Sequence, residues 1–69
     1  MNSLLLKSKM TLHGDTIEKL SEALGISRTR TSAKINSTHG AQFTQREIKV
    51  IKDRYELSDK EVIEIFLLN

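Results

Sequence analysis

At the centre of this 69-residue chain lies the segment Gly25-Ile26-Ser27-Arg28-Thr29-Arg30-Thr31-Ser32-Ala33-Lys34-Ile35-Asn36. An amphipathic segment that ends at Leu24 precedes it, and Gly25 can adopt the left-handed conformation that often ends a helix. A second helix can begin at Ser27, and it carries hydroxyl, amide and basic side chains with few apolar ones. Two short helices joined by a tight turn, the second of them polar, are typical of a helix-turn-helix.

The residues before this turn predict two helices. Helix 1 is expected from about Ser3 to Met10, and its candidate core residues are Leu5, Leu6 and Met10. Helix 2 is expected to begin at Asp15, an N-cap residue with Glu18 three positions later. One face of helix 2 collects the residues expected to pack: Ile17, Leu20, Ser21 and Leu24.

The residues after the turn predict the end of helix 3 near Asn36, a loop over residues 37–42 and two more helices. Capping boxes and hydrophobic staples mark both starts: Thr44 with Glu47 and Phe43 with Ile48, then Ser58 with Glu61 and Leu57 with Val62. Helix 4 is expected to continue to about Tyr55. Since no segment alternates with period two between turn residues, the prediction is a single all-α domain of five helices over residues 1–69.

The composition limits what such a chain can do. Cysteine is absent, so neither disulfides nor thiolate metal sites can support a core this small. The first residues lack a long apolar run, so neither a signal peptide nor a membrane span is expected, and a cytoplasmic location is the default.

Charge is distributed unevenly along the chain. Residues 27–52 contain six basic residues and one acidic residue, whereas residues 55–69 contain one basic residue and four acidic ones. A basic middle and an acidic end are expected of a protein that meets a polyanion with one face, although a chance fluctuation in a short chain is the alternative.

The residues that could carry catalysis or bind metal are sparse. The two histidines, His13 and His39, are 26 positions apart with no neighbouring cluster of carboxylates or thiols. The hydroxyls of Ser27, Ser32 and Ser37 lie beside no base in the arrangement of a catalytic triad. We therefore expect no catalytic residues, no metal site and no cofactor.

With helices 2 and 3 placed on either side of the turn at residues 25–27, the chain resembles the helix-turn-helix domains of the phage lambda repressor and Cro-like superfamily, the XRE-type regulators. The resemblance rests on Leu20, Ser21 and Leu24 in helix 2, on the turn over residues 25–27, and on Arg28-Thr29. The segments 12–16, 32–36 and 43–48 also resemble short regulators of phages of Gram-positive bacteria. The resemblance implies a lambda-repressor-like fold with its helix-turn-helix at about residues 16–36.

The resemblance also implies roles in DNA binding for named positions. The residues expected to face base edges are Arg28, Thr29, Ser32 and Ala33. Those expected to face the DNA backbone are Thr16, Ile17, Ser27, Arg30, Lys34, Asn36, Thr38 and His39.

Some of these positions have an alternative to a role in DNA binding. Arg28 could instead pair with a neighbouring acid, and Arg30 could point either to the groove or to solvent. Of the basic residues Lys34, Arg46, Lys49 and Lys52, one or two are expected to contact phosphate and the others to be solvated surface.

One position departs from the family pattern. Thr31 stands where these domains usually have a buried apolar residue that anchors helix 3 to the core. With only Ile26 and Ile35 as strong anchors, helix 3 is expected to be loosely held or to become ordered on DNA. The departure also allows a role other than DNA recognition.

The C-terminal segment is richer in apolar residues than one helix face can bury. Ile63, Leu67 and Leu68 remain after packing is satisfied, and Ile63, Phe66 and Leu67 are the candidates for a dimer or partner surface. A small bundle could also simply wrap around them.

Together these features favour a DNA-binding transcriptional regulator, a Cro-like phage repressor whose partner is double-stranded operator DNA and which forms a homodimer at least on DNA. The alternative is a protein-interaction module that binds a partner repressor and has little DNA binding of its own. The two differ in salt dependence, because contacts with phosphates weaken steeply as salt rises.

Overall fold

The computed structural model describes residues 1–67, and all regular structure in this range is helical. The helices are α1 (Ser3–Leu12), α2 (Ile17–Leu24), α3 (Arg28–Ile35), α4 (Gln45–Arg54) and α5 (Asp59–Val62). A π-helical turn over Ile63–Leu67 continues α5, and a short 3-10 turn over Thr38–Gly40 follows α3. The all-α prediction is confirmed for this part of the chain, and α1 is two residues longer than predicted.

Side-chain caps define the helix starts. The capping boxes at Thr44 and Ser58 are both present, as predicted. Ser27 likewise caps α3, because its hydroxyl accepts a hydrogen bond from the Arg30 N–H at 3.1 Å. Gly25 ends α2 with a φ of 72°, in the left-handed region where a side chain would strain the backbone.

The predicted N-cap of α2 was wrong by one residue. Thr16 caps this helix, because its hydroxyl accepts from the Lys19 N–H at 3.2 Å. The Asp15 carboxylate is instead turned toward the end of α4. It accepts two hydrogen bonds from Arg54, at 2.7 and 2.9 Å, and one from the Tyr55 hydroxyl at 2.5 Å. This contact ties the start of α2 to the end of α4.

The core lies where the five helices meet. Leu6 and Met10 are buried as predicted, whereas Leu5 and Ile17 are only half-buried at its edge. The buried apolar residues come from α1 to α4, from the segments around α4 and from the π-helical turn after α5: Leu6, Met10, Leu20, Leu24, Ile35, Phe43, Ile51, Tyr55, Leu57 and Ile65.

Thr31 anchors α3 through its hydroxyl as well as its methyl group. The residue is fully buried, and its hydroxyl lies 2.7 Å from that of Ser21 on α2. The same hydroxyl donates to the Ser27 carbonyl at 3.0 Å. The premise that Thr31 provides no anchor was wrong, because a satisfied polar contact stands where an apolar one was missing. Whether α3 is loosely held or becomes ordered on DNA stays a prediction.

A second buried polar contact joins α3 to α4. The Lys34 ammonium donates to Glu47 Oε1 at 2.6 Å, and the two side chains are 10% and 3% exposed. Burial alone would raise the pKa of Glu47, but hydrogen bonds from Lys34 and from the Thr44 N–H hold that pKa below its ordinary value. One carboxylate therefore caps α4 and binds α3.

The Asp15 cluster predicts a defined pH dependence of stability. Hydrogen bonds from Arg54 lower the pKa of Asp15 from 3.8 to about 2. The stabilisation is therefore complete above pH 3.8, the unfolded value, and is lost as pH falls toward 2. Asp15→Asn is expected to cost about 1–2 kcal/mol at pH 7 and much less at pH 2.5. Urea unfolding of both proteins at pH 7, 4 and 2.5 measures this difference.

Asp53→Asn is the matched control, since Asp53 is an exposed acid on α4 with no ion pair among the described residues. The free energy of unfolding of this variant should follow that of the unmodified protein at all three pH values. A loss in Asp15→Asn that stays constant down to pH 2.5 would contradict the assigned role of Asp15.

The Lys34–Glu47 pair predicts strong coupling between two substitutions. Lys34→Met leaves the Glu47 carboxylate buried without a cation, and we expect it to cost about 3 kcal/mol in the free energy of unfolding. Adding Glu47→Gln removes the uncompensated charge while an amide oxygen can still accept from Thr44. The double variant is therefore expected to be more stable than Lys34→Met alone, as measured by urea unfolding.

Lys49→Met on the exposed side of α4 provides the control and should change stability by less than about 0.5 kcal/mol. If Lys34→Met does not fold at all, the double variant still tests the buried ion pair: it is expected to fold, and a double variant that also fails to fold would contradict the prediction. Equal losses for Lys34→Met and Lys49→Met would contradict a buried ion pair.

Candidate nucleic-acid interface

The exposed surface of α3 brings together the residues predicted to face bases. Arg28 and Thr29 are exposed, and Ser32 and Ala33 are half-buried. These four residues and Thr38 line one shallow, open depression. Side chains in it include a guanidinium with several donors, hydroxyls that donate or accept, and small apolar groups. This surface, defined by residues 28, 29, 32, 33 and 38, is called the α3 surface below.

Arg28 pairs with an acid at the edge of the α3 surface. Its Nη1 lies 3.2 Å from Glu18 Oε1 in the first turn of α2, and the two side chains are 69% and 72% exposed. The alternative for Arg28, pairing with a neighbouring carboxylate, is thus present in the structure. An ion pair this exposed is weak, so the guanidinium remains available to another acceptor.

A second groove gathers part of the residues predicted to face the DNA backbone. Thr16 and Ile17 at the start of α2 line it together with Asn36, which ends α3. Lys7 of α1 lines the same groove and is exposed. The Thr16 hydroxyl already caps α2.

The remaining predicted backbone contacts lie at the two ends of α3. Ser27 is exposed and its hydroxyl caps the helix, while Arg30 is exposed and makes no ion pair among residues 1–67. His39 is exposed in the loop after α3, where Ser37 and His39 both have positive φ, 53° and 52°. Such backbone angles are uncommon outside glycine.

Lys34 does not belong to this set. Its side chain is buried against Glu47 rather than directed to solvent, so the prediction that it contacts phosphate was wrong. Two of the other basic candidates are also engaged: Arg46 donates to the Leu24 carbonyl at 3.2 Å, and Lys52 pairs with Asp59 at 2.5 Å. Lys49 is exposed and has no such contact in the described residues.

The C-terminal apolar residues predicted to form a dimer or partner surface divide into two groups by exposure. Ile63 and Leu67 are 44% and 66% exposed. Phe66 is half-buried, and its ring packs edge-on against Phe43 with centroids 6.0 Å apart. Part of the Phe66 ring is thus used in internal packing, and its role in a dimer or partner surface stays a prediction. Leu68 lies outside the described residues.

Sequence analysis missed two residues at these surfaces, Glu18 and Lys7. Glu18 was considered only as part of a helix start, although it lies ten positions before Arg28 across a tight turn. That spacing was the available signal, since α2 and α3 pack together. Lys7 gave no signal, because its proximity to Thr16 and Asn36 depends on how α1 packs.

The part of the chain from residue 1 to 67 brings together no group of three or more histidine, aspartate or glutamate side chains that could hold a metal ion. No helix in the same range has the length and apolar character needed to cross a membrane. Comparison with known proteins finds no matching family model, no matching curated protein and no matching solved structure.

Proposed function

We propose that the protein is a sequence-specific DNA-binding regulator with a lambda-repressor-like fold. In this proposal α2, the turn over residues 25–27 and α3 form a helix-turn-helix, and α3 enters the major groove of operator DNA. The resemblance to Cro-like phage repressors makes a repressor in the cytoplasm of a bacterial host, at its nucleoid, the expected biological role. Base recognition is assigned to Arg28, Thr29, Ser32 and Ala33.

One observation carries this proposal: α3 is fixed by its inward side and leaves its polar outward side open. Thr31, Lys34 and Ile35 are buried, while Thr29 on the opposite side and Arg28 at the first position of the helix are exposed. A helix docked in this way can present donors and small apolar groups to base edges without losing its own packing. Arg28 can donate two hydrogen bonds to guanine, and the Thr29 and Ala33 methyl groups can contact thymine.

The groove beside α3 supports the same orientation. In the proposal, the start of α2 at Thr16 and Ile17 and the end of α3 at Asn36 face the phosphate backbone. Exposed Lys7 supplies positive charge in this groove, and exposed Arg30 supplies positive charge elsewhere on α3. Phosphate contacts of this kind fix the register of a protein on DNA, while base contacts select the sequence.

The exposure of Ile63 and Leu67 favours two further assignments. The first is a homodimer that forms at least on DNA, because two copies reading two half-sites raise affinity and specificity together. The second is a distinct function, in which this surface binds a partner repressor and the protein has little DNA binding of its own. The buried contact of Thr31 with Ser21 weakens this second function, since a loosely held α3 was one of its two supports.

Fluorescence anisotropy tests the proposed function. Labelled duplexes from the region upstream of the coding sequence are compared with scrambled duplexes at about 50 and 200 mM salt. We expect selective binding to one upstream duplex, weakening roughly 100-fold between the two salt concentrations if about four phosphates are contacted. Arg28→Ala is expected to weaken binding to that duplex by roughly 10- to 100-fold.

Lys60→Ala is the control, because Lys60 is an exposed cation on α5 that lines neither the α3 surface nor the groove beside it, and its loss should leave selectivity unchanged. Weak binding that is equal on both duplexes and insensitive to Arg28→Ala would overturn the proposal. Binding to a protein partner that depends on Ile63 and Leu67 and resists salt would then favour the second function.

A further inference from the structure

The α3 surface carries an acid where a polyanion is proposed to bind. Glu18 is 72% exposed in the first turn of α2 and lies 3.2 Å from Arg28. An ion pair so open to solvent contributes little to folding stability. The carboxylate therefore matters for what the surface binds more than for how the protein folds.

A carboxylate at this position has two effects on binding to a duplex. It repels phosphates and so weakens binding to every sequence. At the base edges its effect depends on sequence: guanine presents two acceptors in the major groove, which repel a carboxylate, whereas the N4 amino group of cytosine donates to one. Arg28 beside it has the opposite preference, because guanidinium donors match the guanine acceptors.

We propose that Glu18 is a specificity-determining residue of the α3 surface. Its carboxylate lies beside the Arg28 guanidinium and, on DNA, accepts a hydrogen bond from cytosine N4 adjacent to the guanine that Arg28 contacts. The carboxylate therefore weakens binding to most duplexes, and the loss of affinity is offset on a duplex that places cytosine next to the contacted guanine. This inference rests on the proposed function and extends it to a residue outside the assigned contacts.

The experiment compares Glu18→Gln with Glu22→Gln. Glu22 lies one turn later on α2, is also exposed, and makes no ion pair among the described residues. Each substitution removes one negative charge from the same helix and keeps the side-chain shape. Dissociation constants are measured on the selected upstream duplex, on its scrambled counterpart, and on a panel with each base pair replaced in turn.

Glu18→Gln is expected to bind the scrambled duplex more tightly and to lower the ratio of selected to scrambled affinity roughly tenfold. The base-replacement panel should show relaxed preference at one or two adjacent positions, next to those affected by Arg28→Ala. Glu22→Gln should bind both duplexes more tightly by the same factor and leave the ratio of selected to scrambled affinity unchanged.

The outcomes separate this inference from the proposed function. If the unmodified protein is selective and Arg28→Ala removes the selectivity, the proposed function stands. An unchanged ratio in Glu18→Gln, or the same change as in Glu22→Gln, would then overturn the role of Glu18 alone. If the unmodified protein shows no selectivity on any duplex, both the proposed function and this inference fail.

Discussion

The structure depends on how a polar helix is attached to an apolar core. Of the eight residues of α3, Ile35 is the one large apolar side chain, so hydrophobic burial alone fixes this helix weakly. The buried Thr31 contact with Ser21 and the buried Lys34 contact with Glu47 add polar attachments to α2 and α4. Hydrogen bonds are directional, and both contacts are satisfied only at one rotation of α3 about its axis.

That rotation decides which residues reach the solvent. With Thr31, Lys34 and Ile35 turned inward, Thr29 is exposed on the opposite side, and Arg28 is exposed at the N-terminal end of the helix. The charge available for a polyanion therefore differs from the count along the sequence. Lys34 is neutralised inside the protein, while Glu18 adds a negative charge at the surface. Under the proposed function, both changes lower the positive charge offered to phosphates, so base contacts account for more of the recognition.

Local signals made much of the fold predictable. The capping boxes at Thr44 and Ser58 and the glycine at the end of α2 depend on neighbouring residues, and all three appear in the structure. Asp15 and Lys34 were misassigned because their partners, Arg54 and Glu47, are distant in sequence. An acid before a helix resembles an N-cap, and a lysine on a short helix resembles solvated surface. For the candidate site, sequence identified the residues of the α3 surface and allowed an acid beside Arg28, but it did not identify Glu18 as that acid.

The most direct test of the proposed interface is a chemical-shift titration of the isotope-labelled protein with the selected duplex. We expect saturable changes at the backbone amides of residues 16–18, 27–33 and 38, with few changes in α5. The amides of Thr31 and Lys34 should already be protected from exchange before DNA is added, because the buried contacts hold α3 in place. Changes confined to residues 60–67, or exchange protection of α3 that arises only on DNA, would contradict a preformed α3 surface that binds DNA.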